Sequence, residues 1–290
     1  MALRFSTISF LSDYGLEDEF VGVVRSVVRS IAPEVAVVDV THAIAPHDVR
    51  AGGLALARSA QYLCPGVVLA VVDPGVGSSR RAIAVEVGDG ASVLLGPDNG
   101  LLAPAVAMVG GATAAYELTN TDYHLPSPGP TFAGRDVFAP VAAHLCNGVP
   151  LHELGRQIDP GELVPGVLPL SRVEDGAIVA EVLWVDRFGN LQLNVDPEEI
   201  DPYGSKLRLR YAGGERVAER ATSYVDVRAG GIGLVIDSYG LVSIAADRGS
   251  AADELRLHAG SEVTLAPSTN DDDDVASHSA TVHITPRGSR

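Results

Sequence analysis

One stretch decides the fold of this 290-residue chain: Val67-Val68-Leu69-Ala70-Val71-Val72-Asp73-Pro74-Gly75-Val76-Gly77. Its apolar run predicts a buried strand that carries Asp73 at its carboxyl end. The proline and the two glycines that follow predict a tight loop, which brings Arg80 and Arg81 back towards the strand. A carboxylate at the end of a central strand, with a guanidinium over it, is a common polar site in α/β sheets. From this stretch alone, a structural ion pair that fixes the loop is an equally good interpretation.

Two further strands upstream end in the same way. Strands and helices are predicted to alternate over residues 8–13, 17–32, 35–40, 46–62 and 67–72. This alternation predicts a parallel, right-handed α/β unit. The acidic residues 17–19 are expected in the first turn of the first helix, where the helix dipole favours negative charge. Ligands in such sheets bind beyond the carboxyl ends of the strands, so Asp13 and Asp73 are candidates for one crevice. Asp39 is better explained as a cap for Thr41 or the next turn.

The pattern changes towards the C-terminus. After a predicted hairpin over 82–95 and a helix that ends near 145, an irregular, proline-containing segment marks a domain boundary. Beyond it, short strands with little helix predict a small all-β domain, either a barrel or a sandwich. These strands are predicted at 178–185, 191–195, 207–211, 233–237, 241–246 and 262–265. The predicted division is an α/β domain at 1–160, a linker at 161–174, an all-β domain at 175–267 and an acidic, flexible tail at 268–290.

Composition excludes several classes of function. The formal charge of −16 argues against binding of nucleic-acid backbones, which needs clustered cationic side chains, and it suits a cationic small substrate. No apolar stretch approaches the ~20 residues of a membrane span. Cys64 and Cys146 lack CxxC spacing, so we expect a reducing, cytoplasmic location without a disulfide or a structural zinc site. The acidic run at 270–274 lacks the glycine turn and distal glutamate of a calcium loop, and it is expected to be solvated.

Five short motifs occur in a fixed order along the chain. They are Leu11-Ser12-Asp13-Tyr14-Gly15, Val72-Asp73-Pro74-Gly75-Val76-Gly77, Pro97-Asp98-Asn99-Gly100-Leu101-Leu102, Thr131-Phe132-Ala133-Gly134-Arg135-Asp136 and Asp186-Arg187-Phe188-Gly189-Asn190. Together they resemble the S-adenosylmethionine (SAM) hydroxide adenosyltransferases, or SAM hydrolases, which are relatives of the SAM-dependent fluorinase and chlorinase. The resemblance extends from residue 6 to about residue 265 and therefore covers both predicted domains.

The resemblance implies a fold, an assembly and a reaction. It implies an N-terminal α/β domain with a mainly parallel sheet, a smaller C-terminal β-barrel domain and a homotrimer. In that trimer SAM lies between the N-terminal domain of one subunit and the C-terminal domain of its neighbour. The implied reaction is attack of a water-derived nucleophile at the ribose C5′ of SAM, which releases adenosine and L-methionine. SAM is the substrate, and neither a metal nor a cofactor is implied.

The same resemblance implies roles for single residues. Asp73 and Arg80 match the catalytic positions, where they orient a water molecule or favour its deprotonated form. Asp13 matches the carboxylate that accepts hydrogen bonds from both ribose hydroxyls. The other matched substrate-binding positions are Phe132 and Phe188 around ribose and adenine, Gly134 beside Phe132, Asp186 and Asn190 at the methionine amine and purine edge, Ser238 near the methionine carboxylate, and Ala246 and Arg248 at adenine.

One position departs from the family pattern. The hydrolases carry a histidine directly before the glycine of the 131–136 motif, and here that residue is Ala133. A methyl group neither donates nor accepts a proton. We expect Asp73 and Arg80 to suffice, and the alternatives are that His42 or His124 substitutes, or that the protein is slow or altered at this site.

Three other functions stay open. A non-catalytic SAM or adenosine binder fits the alanine at position 133. A SAM-dependent halogenase fits less well, because the halogenases of the family have a neutral residue in place of Asp73, and a carboxylate there would repel chloride or fluoride. A metal phosphohydrolase would need His and Asp spacings that the sequence lacks.

Overall fold

The computed structural model of the protein describes residues 3–268. Within this range the chain forms two compact units, one up to Leu168 and one from Pro169 onwards. The division falls inside the segment that the sequence marks as a linker. The acidic run at 270–274, and almost all of the tail predicted at 268–290, lie outside the described residues. No helix in the described range is both long enough and apolar enough to cross a membrane.

A seven-stranded sheet forms the centre of the N-terminal unit. Its strands are β1 (Thr7–Ser12), β2 (Ala36–Thr41), β3 (Val67–Val71), β4 (Ala82–Val87), β5 (Ser92–Pro97), β6 (Ala112–Glu117) and β7 (Arg156–Ile158). Their order in the sheet is β2-β1-β3-β5-β4-β6-β7. The pairings that join β2, β1, β3 and β5 are parallel, and the other three pairings are antiparallel. The α/β prediction is confirmed, and the parallel half of the sheet is the half that carries Asp13 and Asp73.

Helices cover both faces of this sheet. They are α1 (Phe20–Ile31), α2 (Val49–Ala60), α3 (Ala103–Met108) and α4 (Ala139–Cys146). Successive side chains of a strand point to opposite faces, and β1 shows the consequence. Phe10 packs in one core with α1 and α4, whereas Leu11 packs in the other core with α2 and α3. Because both faces of β1 and β3 are covered, only the strand ends are left to bind a ligand.

Two helices begin later than the sequence suggests. Helix α1 begins at Phe20 with Glu19 at its N-cap, so acidic residues 17–19 precede the helix and the prediction that they occupy its first turn was wrong. Helix α2 begins at Val49, because the Asp48 carboxylate accepts a 2.8 Å hydrogen bond from the Ala51 amide and caps the helix there.

The C-terminal unit contains a closed β-barrel. The strands are β8 (Arg172–Glu174), β9 (Ala177–Val185), β10 (Leu191–Leu193), β11 (Lys206–Tyr211), β12 (Gly214–Ala221), β13 (Ile232–Ile236), β14 (Val242–Ala246) and β15 (Glu262–Pro267). The ring runs β10-β14-β13-β12-β11-β15-β9 and closes where β9 pairs with β10, while β8 pairs with the outer side of β9. Two short helices, α5 (Pro197–Ile200) and α6 (Ala251–Leu255), lie between strands. The barrel is confirmed, and fully buried aliphatic side chains such as Leu191, Leu209 and Ile244 fill its interior.

Strand β12 is not predicted from the sequence, because charged residues obscure the alternation of apolar and polar positions along it. Two acidic residues of this strand pair with basic residues of the neighbouring β11, namely Glu215 with Arg210 at 2.7 Å and Glu219 with Lys206 at 3.7 Å. Only one residue of the strand, Ala218, is fully buried. Cross-strand ion pairs therefore replace the apolar alternation by which strands are recognised in sequence.

Candidate active site

The loop after β3 holds Asp73 and Arg80 in a bidentate ion pair. Arg80 donates from Nε to Oδ1 at 2.9 Å and from Nη2 to Oδ2 at 2.5 Å. The two side chains are only 5% and 14% exposed, and the guanidinium also lies over the Phe138 ring at 5.5 Å. Charge-assisted, bidentate pairs of this kind are geometrically rigid. Asp73 therefore keeps one orientation, with one lone pair on each oxygen still free to accept a hydrogen bond.

Arg81, the neighbour of Arg80, has a different partner. It donates to Asp98 Oδ2 at 2.8 Å and to the Glu162 carbonyl oxygen at 2.6 Å. Asp98 also accepts a hydrogen bond from the Val164 amide at 2.9 Å. This second pair fixes the 97–102 turn to the segment near residue 163. Of the two interpretations of the Asp73–Arg81 stretch, the structural ion pair thus describes Arg81.

Asp13 and Asp73 line one cleft, as the strand order predicts. Strands β1 and β3 are parallel neighbours, so the residues after them meet at the same edge of the sheet. The cleft has a volume of about 240 Å³. Its walls are formed by Asp13, Tyr14, Phe20, Pro46, His47, Asp73, Val76, Thr131, Phe132, Ala133 and Gly134. Three of the predicted N-terminal site residues besides Asp73, namely Asp13, Phe132 and Gly134, therefore meet here.

An aromatic cluster forms one side of the cleft and explains why residue 134 is a glycine. The rings of Tyr14, Phe20 and Phe132 contact one another, with centroids 5.1–5.6 Å apart. A Cβ atom on Gly134 would overlap the Tyr14 hydroxyl, so no side chain fits at position 134. Burial, and then the charges of Asp13 and Asp73, raise the pKa of Tyr14, which keeps the phenol neutral. Gly134 begins a five-residue π-helix that continues to Phe138, the ring beneath Arg80.

Ala133 lies between this cleft and a second cavity. The second cavity, of about 500 Å³, is lined by Arg80, Ala133 and His124, among others. Since Asp73 lines the first cleft and Arg80 the second cavity, their ion pair lies where the two spaces approach each other. A proton-transfer side chain at position 133 would therefore border the same two spaces as the Asp73–Arg80 pair.

The two histidines named as possible substitutes differ in position. His124 lines the second cavity, burial lowers its pKa, and its Nε2 has no hydrogen-bond partner within residues 3–268. His42 lines neither space. Its Nδ1 lies 2.7 Å from Ser12 Oγ, its Nε2 lies 3.1 Å from Asp39 Oδ1 without hydrogen-bond alignment, and burial lowers its pKa to about 4. His124 is therefore the better placed of the two.

In the C-terminal unit, Asp186 holds the loop between β9 and β10. Its Oδ1 accepts the Phe188 and Asn190 amides at 2.8 and 2.9 Å, and its Oδ2 accepts Asn190 Nδ2 at 2.8 Å. This network closes the loop in an Asx-type turn. It leaves the Phe188 ring 78% exposed. Asn190 donates to this one carboxylate twice, once from its side-chain amide and once from its backbone amide. The loop is therefore preformed.

The loop between β13 and β14 is built in the same way. Asp237 accepts the Tyr239 amide at 2.8 Å and Gln192 Nε2 at 2.6 Å, and it thereby fixes the turn that contains Ser238. Burial raises the pKa of Tyr224, and the charges of Asp186 and Asp237 raise it further. No role is assigned to Tyr224 or Asp237 from the sequence, because neither belongs to one of the five motifs.

The last two predicted positions lie at the end of β14 and in the turn that follows it. Ala246 ends the strand and forms a bridge to Gly249. Arg248 has a left-handed backbone, with φ of 50°, and its side chain is 91% exposed. The predicted site residues thus form two groups, one in each unit.

Comparison with known proteins identifies the family. Residues 8–155 match the SAM hydroxide adenosyltransferase N-terminal domain, and residues 180–264 match the C-terminal domain of the same family. The chain belongs to the SAM hydroxide adenosyltransferases. The resemblance seen in the five motifs is thereby confirmed, and it holds for both units.

The chain aligns with individual family members over almost their whole length. The chain is 45% identical to an (R)-S-adenosyl-L-methionine hydrolase of Salinispora tropica and 41% identical to one of Thermus thermophilus, in each case over 89% of this chain and 97% or 98% of the relative. It is 29% identical to a fluorinase of an Actinoplanes species over 89% of this chain and 96% of the relative. A solved structure of an uncharacterized conserved protein from Thermotoga maritima matches with a TM-score of 0.82 and 33% identity, over 89% of this chain and 99% of that one.

Proposed function

We propose that this protein hydrolyses SAM to adenosine and L-methionine by attack of a water-derived nucleophile at the ribose C5′. One observation carries the proposal: the bidentate Asp73–Arg80 pair lies beside Asp13 in a cleft at the carboxyl ends of parallel strands. Family members at 41–45% identity bear the name of this hydrolase.

The chemistry of the substrate makes the nucleophile the main requirement. A sulfonium is already a good leaving group, so no general acid is needed as the C5′–S bond breaks and its electron pair returns to sulfur. Water, with a pKa of ~15.7, is a poor nucleophile. A free lone pair of Asp73 accepts a proton of the water as the O–C5′ bond forms, and Arg80 keeps the carboxylate in place. No step of this reaction assigns a role to a metal or a cofactor.

Asp13 and the aromatic cluster bind the nucleoside in this proposal. The Asp13 carboxylate accepts hydrogen bonds from the ribose hydroxyls, while Phe132 and Gly134 shape the cleft around the sugar. In the C-terminal unit, Asp186, Asn190 and Ser238 bind the methionine end and the purine edge, with Phe188, Ala246 and Arg248 at the base. The net negative charge of the chain favours approach of the cationic sulfonium.

We also propose that the site is completed in a homotrimer, between the N-terminal unit of one subunit and the C-terminal unit of the next. The cleft of about 240 Å³ is smaller than the ~300–1,000 Å³ usual for pockets that enclose a ligand. An exposed Phe188 ring is an apolar group that such an interface would cover. Cys64 and Cys146 are both free thiols, which agrees with a reducing, cytoplasmic location.

Product analysis tests the proposed reaction. SAM is incubated with the protein and the products are separated by chromatography, with and without added chloride or fluoride. Equal amounts of adenosine and methionine, independent of halide, support hydrolysis. Absence of adenosine at high protein concentration would exclude it, and a 5′-halogenated nucleoside would identify a halogenase.

A non-catalytic SAM or adenosine binder is the second candidate, because Ala133 lines both the cleft and the second cavity and its methyl group can neither donate nor accept a proton. It predicts binding of both ligands by calorimetry without turnover. In that case the variant Ala133→His is expected to turn over SAM where the parent protein does not.

A further inference from the structure

His47 has an unusual backbone conformation at the edge of the cleft. Its φ is 69°, in the left-handed region that few residues other than glycine adopt, although asparagine, aspartate and histidine do so more often than the rest. Four other non-glycine residues in the described range share this feature, at positions 89, 175, 248 and 256. His47 is the one of the five that lines the cleft. Strained residues that persist at such a place point to a functional constraint.

The strained backbone brings the His47 amide to Asp13. The amide donates to Asp13 Oδ2 at 2.9 Å. The next residue, Asp48, is at the same time fixed by its own bonds to the Ala45 carbonyl oxygen and the Ala51 amide. The left-handed turn at position 47 therefore links the residue that follows β1 to the segment that precedes α2. It also holds the Asp13 carboxylate in one orientation. One of its two oxygens is thereby partly occupied before any ligand binds.

This backbone contact alone does not account for a histidine. Glycine would make the same amide contact without strain, because it adopts positive φ freely. The His47 side chain is exposed and lines the cleft with Asp13 and Asp73. Among residues 3–268 no group hydrogen-bonds to its ring. The imidazole nitrogens are thus available to a ligand in the cleft that Asp13 also lines.

We propose that His47 is a substrate-positioning residue whose imidazole hydrogen-bonds to a ribose hydroxyl of the bound nucleoside, next to Asp13. The inference rests on the proposed function, since it assumes that the cleft binds the adenosyl group. A vicinal diol presents two donors and four lone pairs, and the Asp13 carboxylate supplies acceptors only. A neutral imidazole adds both a donor and an acceptor, and so completes recognition of the diol.

Binding of adenosine to the full-length protein tests this role, because it does not depend on turnover. We expect His47→Gly to weaken adenosine binding three- to tenfold in calorimetry, the range of one lost hydrogen bond. The same substitution is expected to leave binding of one of the two analogues, 2′-deoxyadenosine or 3′-deoxyadenosine, unchanged, because that analogue already lacks the contacted hydroxyl. For SAM turnover we expect KM to rise with little change in kcat.

The matched control is Asp89→Gly. Asp89 has a similar left-handed backbone, with φ of 52°, in an exposed turn between β4 and β5, away from the cleft. Both substitutions relieve strain, so neither is expected to lower the melting temperature, and only His47→Gly is expected to affect binding. If His47→Gly melts lower than the parent, binding by both proteins is measured at a temperature at which both are fully folded.

Three outcomes decide between the hypotheses. Unchanged adenosine binding in His47→Gly overturns the role of His47 while hydrolysis by the parent protein stands. An equal loss for adenosine and both deoxyadenosines also overturns it, because the effect would then be independent of the hydroxyls. A parent protein that neither hydrolyses SAM nor binds adenosine overturns the proposed function itself, and with it the role of His47.

Discussion

Replacement of Asp73 by asparagine gives the sharpest test of the proposed mechanism. The substitution keeps the shape of the side chain but removes its charge. In the parent protein the two guanidinium nitrogens lie 2.9 and 2.5 Å from the carboxylate oxygens. The substitution places an amide NH₂ opposite one of these nitrogens. Two donors then face each other, and Arg80 loses its partner in a setting where its side chain is 14% exposed.

The magnitude of both effects follows from this geometry. Removal of one partner from a fully buried ion pair costs about 3–5 kcal/mol. Because the Asp73–Arg80 pair keeps some access to solvent, we expect the free energy of unfolding to fall by about 3 kcal/mol. Loss of a positioned general base lowers rates by about 10²- to 10⁴-fold. We therefore expect kcat for adenosine release to fall by at least about 100-fold, with adenosine affinity almost unchanged.

Asp98→Asn provides a matched control for stability. Asp98 forms a similar pair with Arg81, its side chain is 3% exposed, and it does not line the cleft of Asp73. Both variants are examined by urea unfolding and by steady-state kinetics at the same fraction folded. We expect a similar loss of stability in each and a loss of kcat in Asp73→Asn only. Retention of more than half of kcat in Asp73→Asn, or equal losses in both variants, would refute the assigned role of Asp73.

Three further predictions follow from the site. Ala133→His is expected to change kcat by less than tenfold if Asp73 and Arg80 suffice, and a large rise measured by adenosine release would contradict that. Gly134→Ala is expected to lower the free energy of unfolding by about 1–3 kcal/mol, because its Cβ overlaps the Tyr14 hydroxyl. Recovery of that stability in the double variant with Tyr14→Phe tests the cause. The pKa of His42 is lowered to about 4 from its ordinary 6.5, so the unfolded chain binds a proton that the folded chain does not. The contribution of His42 to the free energy of unfolding is then fully present above about pH 6.5 and is lost as the pH falls towards 4, with a loss of about 2 kcal/mol at pH 5. Urea unfolding that shows the same pH dependence in His42→Gln would contradict this.

The strand-end carboxylates could be predicted because they depend on order alone. Apolar runs of five or six residues fixed the strands, and parallel neighbours place Asp13 and Asp73 at one edge whatever the detailed packing. The choice between Arg80 and Arg81 could not be made in this way. Adjacent residues on a loop point in different directions, and only the path of the loop decides which one meets Asp73.

Other features depend on backbone angles and on cross-strand neighbours. The left-handed φ of His47 could not be predicted from the sequence, since glycine is the residue most often expected at such a position. The effect of Asp186 and Asp237 on the pKa of Tyr224 depends on side chains from three separate segments of the chain. Strand β12 was missed because its charges pair with those of β11. In each case the information lies in contacts between residues far apart in the chain.

Isotope labelling shows whether water attacks C5′ of SAM. The protein is incubated with SAM in water enriched in oxygen-18, and the products are examined by mass spectrometry. Attack at C5′ predicts one oxygen-18 atom per adenosine, in the 5′-hydroxyl, and unlabelled methionine in equal amount. Adenosine without the label, or SAM left intact by a folded protein that binds it, would contradict the account.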